Sequence, residues 1–255
     1  MFSFHIGLPG LHESILSSTA YSATRPASLP HIVSHEDYTA YLEPFVFTRD
    51  KLKAQRGGLQ AAAAGFVETL TQHPRVVFTQ PLILGSKPDA LAPHEPFPLA
   101  EGRIARLTRL LREQELEFHL LITSQANYFA SHYLAGRTTL AHAILKAAPS
   151  WSLLVERLRS AASGRPLFVW DFEHPNIVAP TFQAAMLGTD IESLFFDDSD
   201  DWLELSPVGS SADNANGLSQ DLIKQLRIMD ARYDEDLNYL SKMKDVTLIC
   251  SDLVL

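Results

Sequence analysis

Residues 4–18 read FHIGLPGLHESILSS, and their order decides how the rest of the chain is parsed. The apolar run from Phe2 to Leu8 predicts a strand, Pro9 and Gly10 predict a turn, and Leu11 to Ser22 predict a helix. Strand, tight turn and helix in that order aim the amides of a helix N-terminus at an anion. Yet no lysine stands in the stretch, and His12 and Glu13 occupy the positions where those amides would meet negative charge.

Working outward, strand and helix signals alternate. A helix is predicted over 54–72, ending near His73 and Pro74, and RVVFTQ (75–80) has the β-branched character of a buried strand. In EGRIARLTRLLREQ (101–114), Ile104, Leu107, Leu110 and Leu111 fall on one helical face and the arginines on the other. ELEFHLLIT (115–123) predicts a central strand, followed by a helical NYFASHYLAGR. Ser150 caps a predicted helix over 150–163, PLFVWDF (166–172) predicts a strand, and 177–187 a further helix. A charged helix from Ser219 to about Met243 leads into DVTLIC, a last strand. Strands alternating with helices predict an α/β fold of three layers, α/β/α, around a mainly parallel central sheet. One domain over 1–255 is expected, with irregular insertions near 22–53, 85–100 and 193–218, where proline, serine, glycine and acidic residues gather.

Composition excludes several function classes. There are 30 acidic and 21 basic residues, a formal charge of −9, which argues against a nucleic-acid partner. The lone Cys250 rules out an intrachain disulfide framework and suits a reducing compartment; on the predicted last strand it is expected to be a buried apolar residue. With no signal-like leader and no apolar run near the ~20 residues of a membrane helix, a cytoplasmic protein without a membrane span is expected.

Five segments carry a resemblance. HIGLPGLHES (5–14) is similar to HIGLPKTGTT of the P-loop-containing sulfotransferase superfamily, specifically its bacterial sulfotransferase-like proteins. FTQPLILG (78–85), ITSQANYFASHY (122–133), VWDFEH (169–174) after the WSLLVERLR helix, and RYDEDLNYL (232–240) resemble further motifs of that family, in order and over nearly the whole chain. The resemblance implies a P-loop-like fold and sulfuryl transfer from 3′-phosphoadenosine 5′-phosphosulfate to a hydroxyl or amine of a small-molecule or glycan acceptor. Such transfer is mostly positioning and charge neutralisation.

The resemblance implies cofactor-binding positions at Pro9, Gly10, Leu11, His12, Glu13 and Ser14, and at Ser131 in the second phosphate site. The family lysine falls at Gly10, its loop glycine at His12, a threonine at Glu13 and its second-site arginine at Thr123; Gln80 and Pro81 replace an acidic pair. Only Ser14 and Ser131 keep their chemistry. A carboxylate about 4 Å from an anion costs roughly 4 kcal/mol at an effective dielectric of 20, half of what micromolar binding supplies. A pseudoenzyme is therefore expected, or a strongly divergent enzyme with His12 and Glu13 as candidate catalytic groups. The alternatives are a non-catalytic interaction module with a protein partner or a second copy, or a site for another small anion or nucleotide.

Plainer roles stand beside each candidate. Glu13 suits the first turn of any helix, His12 a loop without chemistry, and Ser131 a small packing position. His31 and His35, beside Glu36 and Asp37, have helical metal-ligand spacing but no HExxH pattern, so no metal is expected there. Asp197 to Asp201 reads as a solvated loop, with calcium the next reading, and Trp151 and Trp170 read as core.

Overall fold

Short runs of aromatic and β-branched residues, each too apolar to face water, pair into one sheet. The computed structural model of the chain describes residues 1–7, 30–47, 53–79, 83–85, 91–92, 95–134, 136–190 and 219–251. The predicted helix at 11–22, Gln80 and Pro81, and the acidic tract at 197–201 lie outside the described residues.

Six strands form the main sheet: β1 (Phe2–His5), β2 (His31–Val33), β3 (Val76–Thr79), β6 (Leu116–Ile122), β7 (Leu167–Asp171) and β8 (Val246–Ile249). Their spatial order is β2-β3-β1-β6-β7-β8 and every pairing is parallel. Between β3 and β6 lies a two-stranded antiparallel ribbon, β4 (Leu91–Ala92) with β5 (Glu95–Pro96). The central strand β6 is buried along its whole length, as a parallel strand covered on both faces must be, whereas the edge strand β8 is only half-buried.

Nine α-helical segments accompany the strands among the described residues: α1 (His35–Asp37), α2 (Glu43–Val46), α3 (Lys53–Leu70), α4 (Ala100–Leu110), α5 (Gln125–Leu134), α6 (Thr138–Ala147), α7 (Trp151–Ala162), α8 (Pro175–Leu187) and α9 (Gln220–Leu240). A π-helical turn, Tyr38–Leu42, joins α1 to α2. Period-two alternation along the strands sorts side chains between two faces. Phe4, Phe78, Phe118, Leu120 and Val169 share a large core with α3, α4, α7 and α9. Val77, Leu121 and Trp170 point the other way, into a smaller core with Val178, Phe182 and Met186 of α8. The fold is thus the expected three-layer α/β/α arrangement.

Helix ends follow their local chemistry. Ser150 accepts from Leu153 N at 3.3 Å to start α7, and Ser219 accepts from Leu222 N at 3.2 Å to start α9. Gly188 ends α8 in the left-handed region at φ 65°.

Several sequence expectations are corrected. The stretch expected to be irregular at 22–53 contains β2 and three helical turns, and that at 85–100 contains the β4–β5 ribbon. Strands of two or three residues carry no periodicity to detect. His31 sits on β2 and stacks on His73 at 4.3 Å, while His35 opens α1, so the two share no helix and lack the expected ligand spacing. Cys250 lies just beyond β8 and is half-buried rather than core. Leu110 packs, half-buried, against the core that takes Ile104, Leu107 and Leu111, in line with the expected apolar face. Trp151 and Trp170 are both buried in full.

Candidate functional site

The strand order fixes where to look. From β1 the chain leads past β3 to the edge strand β2, returns through β3, then crosses β1 to β6 and continues outward through β7 and β8. Connections therefore diverge at β1, and in open α/β sheets ligands bind outside the carboxyl ends of the strands at such a switch point. Of the expected site, Pro9, Gly10, Leu11, His12, Glu13 and Ser14 lie outside the described residues. The neighbouring strand ends, β6 running into α5 and β7 running into α8, are described in full.

Thr123 and Ser124 leave β6, and Ser124 caps α5 by accepting from Asn127 N at 3.1 Å. A carboxylate from the end of the adjacent strand β7 completes this cap. Glu173, just past the end of β7, accepts from the Thr123 hydroxyl and from Ser124 N through Oε1, and from Asn127 Nδ2 at 2.6 Å through Oε2. In a capping box the third helical residue reaches back to the cap N–H. Here Asn127 instead holds Glu173, and Glu173 takes that N–H. The Thr123 carbonyl is fixed as well, accepting from Trp151 Nε1 at 2.8 Å.

A second helix start is closed the same way. Asp236 of α9, buried, accepts from Trp151 N at 2.7 Å, Ser152 N at 3.2 Å, Ser150 Oγ at 2.9 Å and Gln125 Nε2 at 3.2 Å. Beside it, Tyr233 donates to Asp171 Oδ1 at 2.6 Å, and Glu173 N reaches the same oxygen at 3.2 Å. Burial raises the Asp171 carboxyl, against these two hydrogen bonds, and burial followed by the Asp171 charge drives the Tyr233 hydroxyl well above its ordinary value.

Ser131, the remaining described candidate, lies two turns into α5 and donates to Tyr128 O at 2.9 Å, a bond within its own helix. The structure does not bring it into the Glu173 network. That network was not read as a site from sequence. Its members stand in the motifs VWDFEH and RYDEDL, but nothing in a sequence says that Glu173 accepts a hydrogen bond from Thr123, 50 residues away.

Among the described residues no group of three or more His, Cys, Asp and Glu side chains is placed to hold a metal ion. No helix among them is long and apolar enough to cross a membrane. No family model, no curated protein and no solved structure matches the chain.

Proposed function

We propose that this chain is a sulfotransferase-like α/β protein that keeps the fold and has lost ordinary use of the sulfated nucleotide donor, serving as a non-catalytic binding module. One observation carries the reading. At the position the resemblance gives to a phosphate-binding arginine stands Thr123, and its hydroxyl is bonded to the Glu173 carboxylate. The positive end of α5 thus already faces a negative group of the chain itself. A phosphate brought to the same spot would meet repulsion of roughly 4 kcal/mol at 4 Å and an effective dielectric of 20. The helix dipole that would draw it is worth only about 0.3–1 kcal/mol. The loss of the lysine at Gly10 and the acidic surplus of the whole chain act in the same direction.

The test is a calorimetric titration with 3′-phosphoadenosine 5′-phosphate, the nucleotide product such transfer would leave. No saturable heat is expected at millimolar nucleotide. Saturable micromolar binding that disappears in Thr123→Ala would overturn the reading and restore a divergent transferase.

A further inference from the structure

We infer that α8 is an acid-releasable cover: proton uptake by two histidines beneath it lifts α8 from the sheet while the opposite helical layer stays in place. His5 of β1 and His119 of β6 are register partners, side by side on the α8 face, and both are buried. His5 meets Phe182 of α8 edge-on at 5.2 Å, and its Nε2 has no hydrogen-bond partner. The ring also folds back over the chain, since a Cβ on Gly7 would stand 2.6 Å from that nitrogen. A proton on Nε2 would therefore place a charge at a buried nitrogen that has no hydrogen-bond partner.

His119 is no better placed to accept one. Its Nδ1 accepts from Trp170 Nε1 at 3.2 Å, which leaves the ring proton on Nε2, 3.2 Å from Glu117 Oε1 and off the line of a good hydrogen bond. A second proton must go to Nδ1, where it would confront the indole N–H. The charged groups near this pair, among the described residues, are few. Glu117 of β6 is already engaged by Arg75 ahead of β3 and by the Ser3 hydroxyl of β1. Phe168 and Trp170 of β7 and Phe182 of α8 stack on or edge the His119 ring and carry no charge. Burial, with the neighbouring His119, drives His5 down to about 3, and burial with the Arg75 charge also lowers His119 against the pull of Glu117.

The lid is itself interrupted. α8 carries Pro180 in its interior, which removes one helical hydrogen bond. Its C-terminal carbonyls are held by a side chain, Arg75, which donates to Ala185 O and Met186 O at 2.7 Å each. Opening α8 gives His5 back to water and to its ordinary value of 6.5. Above pH 6.5 both states are neutral and opening is not favoured; below it the open state takes up protons that the closed state refuses. With values of 6.5 open and about 3 closed, His5 alone increases the opening equilibrium roughly fourfold at pH 6 and about 30-fold at pH 5. His119 adds in the same direction.

Hydrogen exchange on the whole chain, corrected for intrinsic rates, tests this. Amides of 175–187 should lose about 30-fold or more in protection between pH 7.5 and pH 5, while those of 151–162 in α7 keep theirs. His5→Gln should remove most of that response. Unchanged α8 protection would overturn the inference, as would α7 and α8 falling together or a response undiminished in both His5→Gln and His119→Gln. Should either variant fail to fold, the contrast between α7 and α8 in the native sequence decides alone.

Discussion

On one face of the sheet, Phe4 stacks on Phe78 at 4.2 Å and lies 5.9 Å from Phe118, and the helices above add leucine, isoleucine and alanine. On the other face, β1 and β6 carry Ser3, His5, Glu117 and His119, all buried on the α8 side. Each face is buried, but by different physics. The first is held by apolar area, at about 25 cal/mol per Å², and asks little of geometry or pH. The second depends on mutual satisfaction of a few polar groups, so losing any one member strands the others. Parallel strands buried on both sides are ordinarily apolar on both. On the α8 side the departure lies mid-strand, at Ser3, His5, Glu117 and His119, whereas on the other face it is limited to the strand end, where Asp171 meets Tyr233, and to Asp236 at the start of α7.

The sharpest way to break the contrast is to remove its cation. Arg75→Ala would leave Glu117 without its cationic partner and take the Arg75 bonds from Met186 O and Ala185 O of α8, in largely buried surroundings. A loss of about 3–5 kcal/mol is expected in urea denaturation, comparable with truncating a core phenylalanine such as Phe118 on the apolar face. A loss below about 1 kcal/mol would show that the polar ladder is decoration. Asp236→Ala comes next, since it leaves the Trp151 and Ser152 amides at the start of α7 without an acceptor. About 2–4 kcal/mol is expected from calorimetric unfolding, because this is the polar insertion on which the apolar side itself depends.

Acid separates the two faces without mutation. His5 has a folded value of about 3 against 6.5 unfolded, so the stability tied to its neutral form is complete above pH 6.5 and is lost as pH falls toward 3. Between pH 7 and pH 5 this amounts to about 2 kcal/mol from His5 alone. Denaturation midpoints that stay flat across that interval would contradict the burial. Below pH 4.5 Glu117 adds to the loss. Burial raises its carboxyl, but the nearby His119 ring, the Ser3 hydroxyl and the Arg75 guanidinium together outweigh this and hold it below its ordinary value. A smaller probe of the same face is Gly188→Ala. The residue needs φ 65°, and a Cβ there would lie 3.0 Å from Arg75 Cδ and Nη1. A cost of about 1–3 kcal/mol follows from the backbone strain and the displaced guanidinium, read as a lowered melting temperature.

Legibility in the sequence follows the same division. The apolar face writes itself in periodicity. LEFHLLI announces β6, and Ile104 and Leu107 announce the buried stripe of α4, because burial of carbon requires only a repeat. β2 is not legible because a three-residue edge strand is too short to repeat, and α6 because its run TTLAHAILKA carries no charged face to frame it. The polar side cannot be read this way. Ser3, His5, Glu117 and His119 interrupt apolar strands in a manner that, from sequence alone, matches solvent-facing positions. Only the β1–β6 register brings them together. The rim behaves likewise. Glu173, Asp236 and Tyr233 could be quoted as motif letters, but their side-chain partners lie 46 to 111 residues away and were set by the fold.

Ser131 sharpens this last point through its smallness. The sulfotransferase resemblance implies that it is the retained member of a second phosphate site, whereas its hydroxyl satisfies Tyr128 O one turn back along α5. A serine bonded within its own helix contributes little net stability, so Ser131→Ala should change unfolding free energy by no more than about 0.5 kcal/mol. If the rim has kept no phosphate chemistry, the variant should be indistinguishable from the parent in a nucleotide titration as well. A parent that binds and a variant that does not would mean the hydroxyl leaves Tyr128 to meet a ligand. The carboxylate network at Thr123 would then be a resting arrangement that a phosphate can displace, and Glu173 would have to be the group that moves.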